Sequence, residues 1–258
     1  MKKIRVEYIL LAVVLLLVGL GTAWVYWQQT HIQAVREQAK AAKQKELNQV
    51  PLPQLEKMPA KSQSEAVIHT TKGDITVVLF NQQAPLAVKN FIGLAKQGYY
   101  DGTIFHRVMK NFMIQGGDPK GTGQGGHSIW YQKDSHLDSG QGFKNEISTS
   151  LYHLRGSLAM ANAGKDTNGS QFFINQNPTN QQDQLSKAAY PKRIYEAYHQ
   201  GGNPKLDGSY TVFGQVLKGM SVVDQIAQEP VEDNGNGEES KPKDPVTVTT
   251  VEVVKEAQ

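Results

Sequence analysis

Several stretches of this 258-residue chain carry residue types that do chemistry elsewhere, and most fail on context. Gly121-Thr122-Gly123-Gln124-Gly125-Gly126 has the glycine spacing of a loop that offers backbone N–H groups to a pyrophosphate. That task needs a strand before the loop and a helix after it, with the helix N-terminus facing the phosphate. Asp118-Pro119 precedes it and no apolar helix follows, so the stretch reads as a structural glycine loop. Ala163-Gly164-Lys165-Asp166 ends like a nucleotide phosphate loop. However, Ala159 stands where its first glycine belongs, and Asp166 replaces the hydroxyl that would hold magnesium. The seven His residues show no short metal-ligand spacing. The absence of Cys removes thiolate ligands, Cys nucleophiles and disulfides. Asp233, Asn234 and Asn236 share a loop but are out of register for a calcium hand. Ser157 and Ser170 lack the strand–turn–helix setting of an activated nucleophile. No metal and no cofactor are expected.

What remains is a series of dense blocks. Phe105-His106-Arg107-Val108 and Phe112-Met113-Ile114-Gln115-Gly116-Gly117-Asp118 form the first. Gly156-Ser157-Leu158-Ala159-Met160-Ala161-Asn162-Ala163 is the second, followed by Asn168-Gly169-Ser170-Gln171-Phe172-Phe173-Ile174. Leu206-Asp207-Gly208 with Val212-Phe213-Gly214 is the last. In this order the blocks resemble the cyclophilin family of peptidyl-prolyl cis-trans isomerases, over roughly Ala66–Gln176 and Leu206–Val254. The resemblance implies an all-β-dominated domain. This would be a closed, eight-stranded antiparallel β-barrel with a packed interior, capped by two α-helices, with the substrate groove on its outer face.

An Xaa-Pro bond turns slowly because its C–N bond is partly double, with a barrier of about 18–20 kcal/mol. Halfway through the turn the resonance is lost and the proline nitrogen regains its lone pair. A catalyst therefore needs no nucleophile, metal or proton transfer. It needs a donor aimed at that nitrogen, a hold on the carbonyl side and an apolar socket for the ring. The resemblance implies Arg107 as the donor, a rigid and permanently charged fork. It implies Gln115 as the residue that orients Arg107, and Phe112, Met113, Phe173 and Leu206 as the proline socket. It gives Asn162 the role of holding the substrate chain through its backbone. Ala161, Ala163 and Gln171 match neighbouring groove positions, and Gly123 lies at the groove rim. His106 is expected to be structural.

Two positions depart from the family pattern. Lys205 stands where many members carry the Trp that helps hold cyclosporin-like ligands, and Tyr210 stands where many have a groove His. Tyr can still pack and hydrogen-bond there. Residues 180–205 read as an insertion of two short helices ending beside the groove. Its expected role is either to guide bulky substrates or to be a neutral surface loop.

The elements that must position these residues are short. Ala66–Thr71 and Asp74–Phe80 flank Lys72-Gly73 as a hairpin. Pro85 opens a helix carrying Val88, Phe91, Ile92 and Ala95, and Gly98 stops it. Strands are expected at 104–109, 112–115, 156–161, 171–175 and 210–216. A second helix is expected at 221–227 and a closing strand at 246–254. Residues 232–245, rich in Gly, Asn, Glu and Lys, read as a mobile loop.

Ahead of this body lies an uncharged run, Tyr8–Trp27, of about 30 Å as a helix, the thickness of a bilayer core. Lys2, Lys3 and Arg5 precede it, and Trp24, Tyr26 and Trp27 close it as an aromatic belt. Residues 1–7 are expected in the cytoplasm, 8–27 in the membrane, and 28–63 in a helical stalk and Pro-containing linker. The folded domain is placed at 64–258. The alternative is a cleaved signal, with Gly21-Thr22-Ala23 as the cut and a secreted product. Either way the body is exported.

The first 50 residues carry seven of the 27 Lys/Arg and three of the 24 Asp/Glu. The rest is balanced at 20 basic against 21 acidic residues, so no nucleic-acid partner is expected. The implied partners are Xaa-Pro-containing polypeptides, such as exported proteins during folding, with the chain acting as a monomer. Two rival readings remain: a non-catalytic chaperone or binding module for Pro-containing segments, and a stalk that binds lipid or a helix through Arg36, Lys40, Lys43 and Lys45.

Overall fold

The computed structural model describes residues 2–56 and 58–257, in two compact units, Met1–Gln49 and Val50–Gln258. The first unit is one helix, α1 (Lys2–Leu47). Its apolar half is long enough to cross a membrane and none of it is buried against protein. The expected anchor and the helical part of the stalk are thus a single element, as follows from a run without Pro or Gly beyond Gly21. The expected cytoplasmic end begins on Met1, outside the described residues.

The second unit is built on an antiparallel sheet. Its strands are β1 (Ser64–Thr70), β2 (Gly73–Leu79), β3 (Arg107–Met109), β4 (Met113–Gly116), β5 (Ser157–Met160) and β6 (Phe172–Asn175). β7 (Val212–Lys218) and β10 (Val248–Lys255) complete it, in the order β10-β1-β2-β7-β5-β6-β4-β3. The helices are α2 (Pro85–Lys96), α3 (Lys192–Ala197) and α4 (Met220–Ile226). Between α4 and β10, β8 (Val231–Asp233) and β9 (Glu239–Pro242) form a separate two-stranded ribbon.

Local chemistry accounts for these elements. The turn between β1 and β2 needs Gly73, at φ 125°, and Thr70 Oγ1 donates to its carbonyl across 2.7 Å. α2 starts on Pro85, and its free N–H groups at Leu86 and Ala87 donate to the Glu146 carboxylate at 3.1 and 2.9 Å. Its buried face carries Val88, Phe91 and Leu94 into the core. There the Phe91 ring packs on Tyr100, Phe172 and Phe213 at 5.3–5.6 Å.

The regular ladder does not close into the expected barrel. β10 and β3 remain its two edges. The chain before β3 meets the start of β10 over a short stretch: Ile104 bridges Thr247, Phe105 N–H donates to Val246 O, Gly102 N–H donates to Val248 O, and Val248 N–H donates to Thr103 O. The short β3 and β4 leave too few paired residues for a continuous seam, so the sheet is curled and stitched at one point.

Three further expectations are corrected. The compact unit begins at Val50 rather than near Ser64, because Leu52 and the Pro53–Leu55 turn pack on Leu154, Ile194 and Tyr198. The insertion holds one helix, α3, among single 3-10 turns, instead of two helices. The expected loop at 232–245 contains β9 and the end of β8. Asp233 and Asn234 side chains accept from Gly235 and Asn236 N–H, making the tight tip that allows this ribbon.

Candidate active site

The site grows from the β3–β4 hairpin. Its register sets Arg107 opposite Gln115 and Met109 opposite Met113, on one face of the sheet. Between them Asn111 takes the left-handed conformation at φ 61°, and its N–H donates to Gln176 Oε1. The Phe112 carbonyl accepts from the N–H groups of Gln176 and Asn177 and from Asn203 Nδ2, which fixes the hairpin tip. β6 adds Phe173 opposite Gln115, on the same face, while Phe172 and Ile174 turn inward.

A hollow of about 130 Å³ opens on this face, lined by Arg107, Phe112, Met113, Gln115, Ala161, Asn162, Phe173, Leu206 and Tyr210. The floor is rigid. Met113 and Phe173 are buried, and Tyr210 meets the Phe173 ring edge-on at 5.9 Å. Behind Phe173 lies His153, stacked parallel at 5.8 Å. Burial pushes the His153 ring down to about 3, so it packs as a neutral aromatic.

Gly123, Ala163 and Gln171 line an adjoining hollow with Gln115, Ala161 and Asn162. Gln115 Nε2 donates to Gln171 Oε1 at 2.9 Å, and Gln171 Nε2 donates to the carbonyls of Gly123 and Gly125. The glycine loop is thus tied to the groove. Its backbone amides serve an anion within the chain. Asp118 accepts from the N–H groups of Lys120, Thr122, Gly123 and Gly125 at 2.8–3.2 Å. Burial alone would raise that carboxyl, but these donors hold it below the ordinary carboxylate value. A Cβ on Gly125 would sit 2.2 Å from Asp118, which explains the glycine there.

The Asn162 side chain donates to Asn145 and Asn168, while its own N–H and C=O make no protein hydrogen bond among the described residues. Asn162 lines both hollows, with its backbone groups unspent. His106 is buried beside Gly123, and burial lowers its pKa. Among the described residues no group of three His, Asp or Glu is placed to hold a metal.

Arg107 is held differently from expectation. Its Nη1 donates to Gln115 Oε1 at 3.4 Å, a long and weak hydrogen bond. The firm contacts come from Glu238, immediately before β9: Nε donates to Oε1 at 2.7 Å and Nη2 to Oε2 at 2.8 Å. The guanidinium beside Glu238 pulls that carboxyl down to about 2. The guanidinium carbon also lies 5.8 Å from the Phe112 ring centre.

Sequence reasoning missed Glu238 because it lies 131 residues from its partner, in a stretch that looks like solvent-exposed loop. It also missed a support under Leu206. Asp207 accepts from His153 N–H at 2.7 Å and from Tyr198 Oη at 2.6 Å, and so ties the insertion to the groove wall.

Comparison with known proteins places the chain in a well-populated group. Residues 66–253 match the family model described as cyclophilin type peptidyl-prolyl cis-trans isomerase/CLD. A Staphylococcus epidermidis protein named as a peptidyl-prolyl cis-trans isomerase is 44% identical over 205 residues, covering 78% of this chain and 97% of that protein. A Streptococcus pyogenes protein named as a bifunctional phosphatase/peptidyl-prolyl cis-trans isomerase is 50% identical over 194 residues. Those residues span 73% of this chain but only 38% of that longer protein. A solved Cryptosporidium parvum cyclophilin-type isomerase is 34% identical, with a TM-score of 0.57 over 74% of this chain and 97% of its own. The same protein solved in the presence of the dipeptide Ala-Pro gives 34% identity and a TM-score of 0.56.

Proposed function

The chain belongs to the cyclophilin-type peptidyl-prolyl cis-trans isomerases, and from that premise we propose that it turns Xaa-Pro bonds in exported polypeptides, with Arg107 as the donor. The proline ring enters the hollow over Phe112, Met113 and Phe173, walled by Leu206 and Tyr210. The Asn162 backbone groups pair with the substrate chain and fix the carbonyl side. As the C–N bond loses its resonance, Arg107 Nη1 donates to the nitrogen lone pair. The gain is made only at the half-turn, so it lowers the barrier rather than tightening the ground state. Gln115, Gln171, Gly123, Ala161 and Ala163 shape the adjoining cleft, where the chain before the proline lies.

The observation that carries this reading is the shared wall: a pinned guanidinium at the mouth of an apolar hollow with aromatic sides. Exchange measurements on an Xaa-Pro peptide test it, using the full chain in detergent micelles beside Arg107→Ala. Exchange is expected to fall by at least about a hundredfold with peptide binding retained. Equal exchange in the two would leave a binding module for Pro-containing segments.

α1 is read as a single-pass anchor across residues 8–27, with residues 28–49 continuing outside the bilayer and the isomerase unit extracytoplasmic, acting as a monomer. Its apolar length and flanking charges support this, and a cleaved signal is the competing fate. Proline isomerisation limits folding for tens of seconds, so an exported chain crossing such a site gains directly.

A further inference from the structure

Arg107 has four rotatable side-chain bonds before its planar head, and an unsupported head would sweep through many orientations. On the sheet side the holds are one long hydrogen bond, to Gln115 Oε1 at 3.4 Å, and two to weakly accepting sulfurs, Met113 at 3.9 Å and Met109 at 3.2 Å. The strong hold comes from outside the groove. Glu238 takes the Nε–Nη2 edge of the guanidinium with both carboxylate oxygens, the geometry that fixes a plane as well as a distance. With that edge occupied, Nη1 is the corner left toward Gln115 and Met113, both of which line the hollow.

Glu238 is itself fixed. β9 lies beside β3, and β8 pairs with β9 through Val231–Pro242 and Glu232–Lys241. Lys241 also bridges Glu232 at 2.8 Å. Across the tip, Asn234 N–H donates to the Glu238 carbonyl at 2.9 Å, and Asn234 Nδ2 reaches Glu238 Oε1 at 3.3 Å and Ser240 Oγ at 3.2 Å. The Arg107 and Glu238 side chains are 30% and 33% exposed, so the pair is partly shielded from water yet open to a substrate on the remaining side.

We propose that Glu238 is a positioning residue for the isomerase reaction: the β8–β9 ribbon carries its carboxylate to the back of Arg107 and aims Nη1 into the proline hollow. This rests on Arg107 being the donor. The ribbon then has a defined use, as a brace that reaches the groove from a segment between α4 and β10. Glu238 acts through Arg107 and touches no substrate.

The test is a double-mutant cycle on exchange of an Xaa-Pro peptide, with the full chain in micelles: wild type, Glu238→Ala, Arg107→Ala and the double variant. Glu238→Ala is expected to lower kcat about tenfold with KM within about twofold, because aim is lost while the socket is intact. The double variant is expected to match Arg107→Ala alone, since the carboxylate has nothing left to aim. A structural role for the ribbon would instead add its loss to that of Arg107→Ala. As a separate readout, the Nε–H resonance of Arg107 in protein labelled with 15N-arginine should move in Glu238→Gln. Unchanged or raised activity in Glu238→Ala, additive losses, or an unmoved resonance would each overturn the proposal. Wild type active and Arg107→Ala equally active would instead remove the reading on which it rests.

Discussion

His153 has no contact with the hollow, yet the shape of Phe173 depends on it. Its ring is sealed against Phe173 and Tyr210 and accepts or donates only weakly, at 3.2 Å to Asn175 Nδ2 and 3.4 Å to the Tyr210 carbonyl. A charged imidazole there would be desolvated without a counter-ion. Burial lowers its folded pKa from 6.5 to about 3, so the unfolded chain binds the proton first as pH falls. The stability it contributes is complete above 6.5 and is lost as pH drops towards 3. Between about pH 7 and pH 5 the loss is about 2 kcal/mol. Asp207 works in the opposite sense. Burial raises its carboxyl from 3.8 to about 6, so its contribution is present below 3.8 and lost as pH rises through 6. Comparing wild type with His153→Phe by denaturant unfolding at both pH values cancels Asp207. Wild type should lose about 2 kcal/mol relative to the variant on acidification. A pH-independent difference would mean that the ring is charged or solvated in the folded state.

The linker and the insertion are one element in packing terms, although some 130 residues separate them in the chain. Leu52 is buried among Leu154, Ile194 and Tyr198, with Val50, Leu55, Leu185 and Tyr190 around it. Gln54 clamps the backbone of Tyr152 from both sides: its Oε1 accepts from the amide at 2.7 Å and its Nε2 donates to the carbonyl at 2.9 Å. Tyr198 passes this support to Asp207 and so to the Leu206 wall. The insertion is therefore a small second core that completes itself with the linker, a role beyond the two weighed from sequence. Leu52→Ala should destabilise the unit by about 3 kcal/mol, the cost of a buried leucine and the void it leaves. A fragment starting at Ser64 should be destabilised at least as much as Leu52→Ala. Thermal unfolding of fragments starting at Val50 and Ser64 checks this; coincident midpoints would show that the linker is only resting on the surface.

For the molecule as a whole, the division at Gln49 and Val50 separates a helix, apolar in its first half and polar in its second, from a unit with its own core, its own sheet and all the groove residues. A fragment from Val50 onward should therefore match the whole chain in kcat/KM on a short Xaa-Pro peptide, within about twofold. A larger loss would give α1 a part in the reaction. N-terminal sequencing of the protein from whole cultures, cells and medium together, should retain Tyr8–Trp27 if α1 is an anchor, and begin beyond Ala23 if it is a cleaved signal.

Much of this protein is legible in its primary structure, for reasons that differ by feature. Strands such as Phe172–Asn175 and the helix from Pro85 follow from local propensity and from stop signals within a few residues. The groove residues can be named because the dense blocks from Phe105 to Gly214 resemble a known family; taken singly, Phe112, Met113 and Phe173 would read as plain core. The membrane-length helix follows from an uninterrupted apolar run. Three features were invisible: the carboxylate behind Arg107, the burial of Leu52 and the open seam between β3 and β10. Each depends on two segments far apart in the chain meeting in space. Neither segment's composition names its partner, because a hydrogen bond or a buried contact depends on distance, and distance across a fold is set only when all its elements have packed.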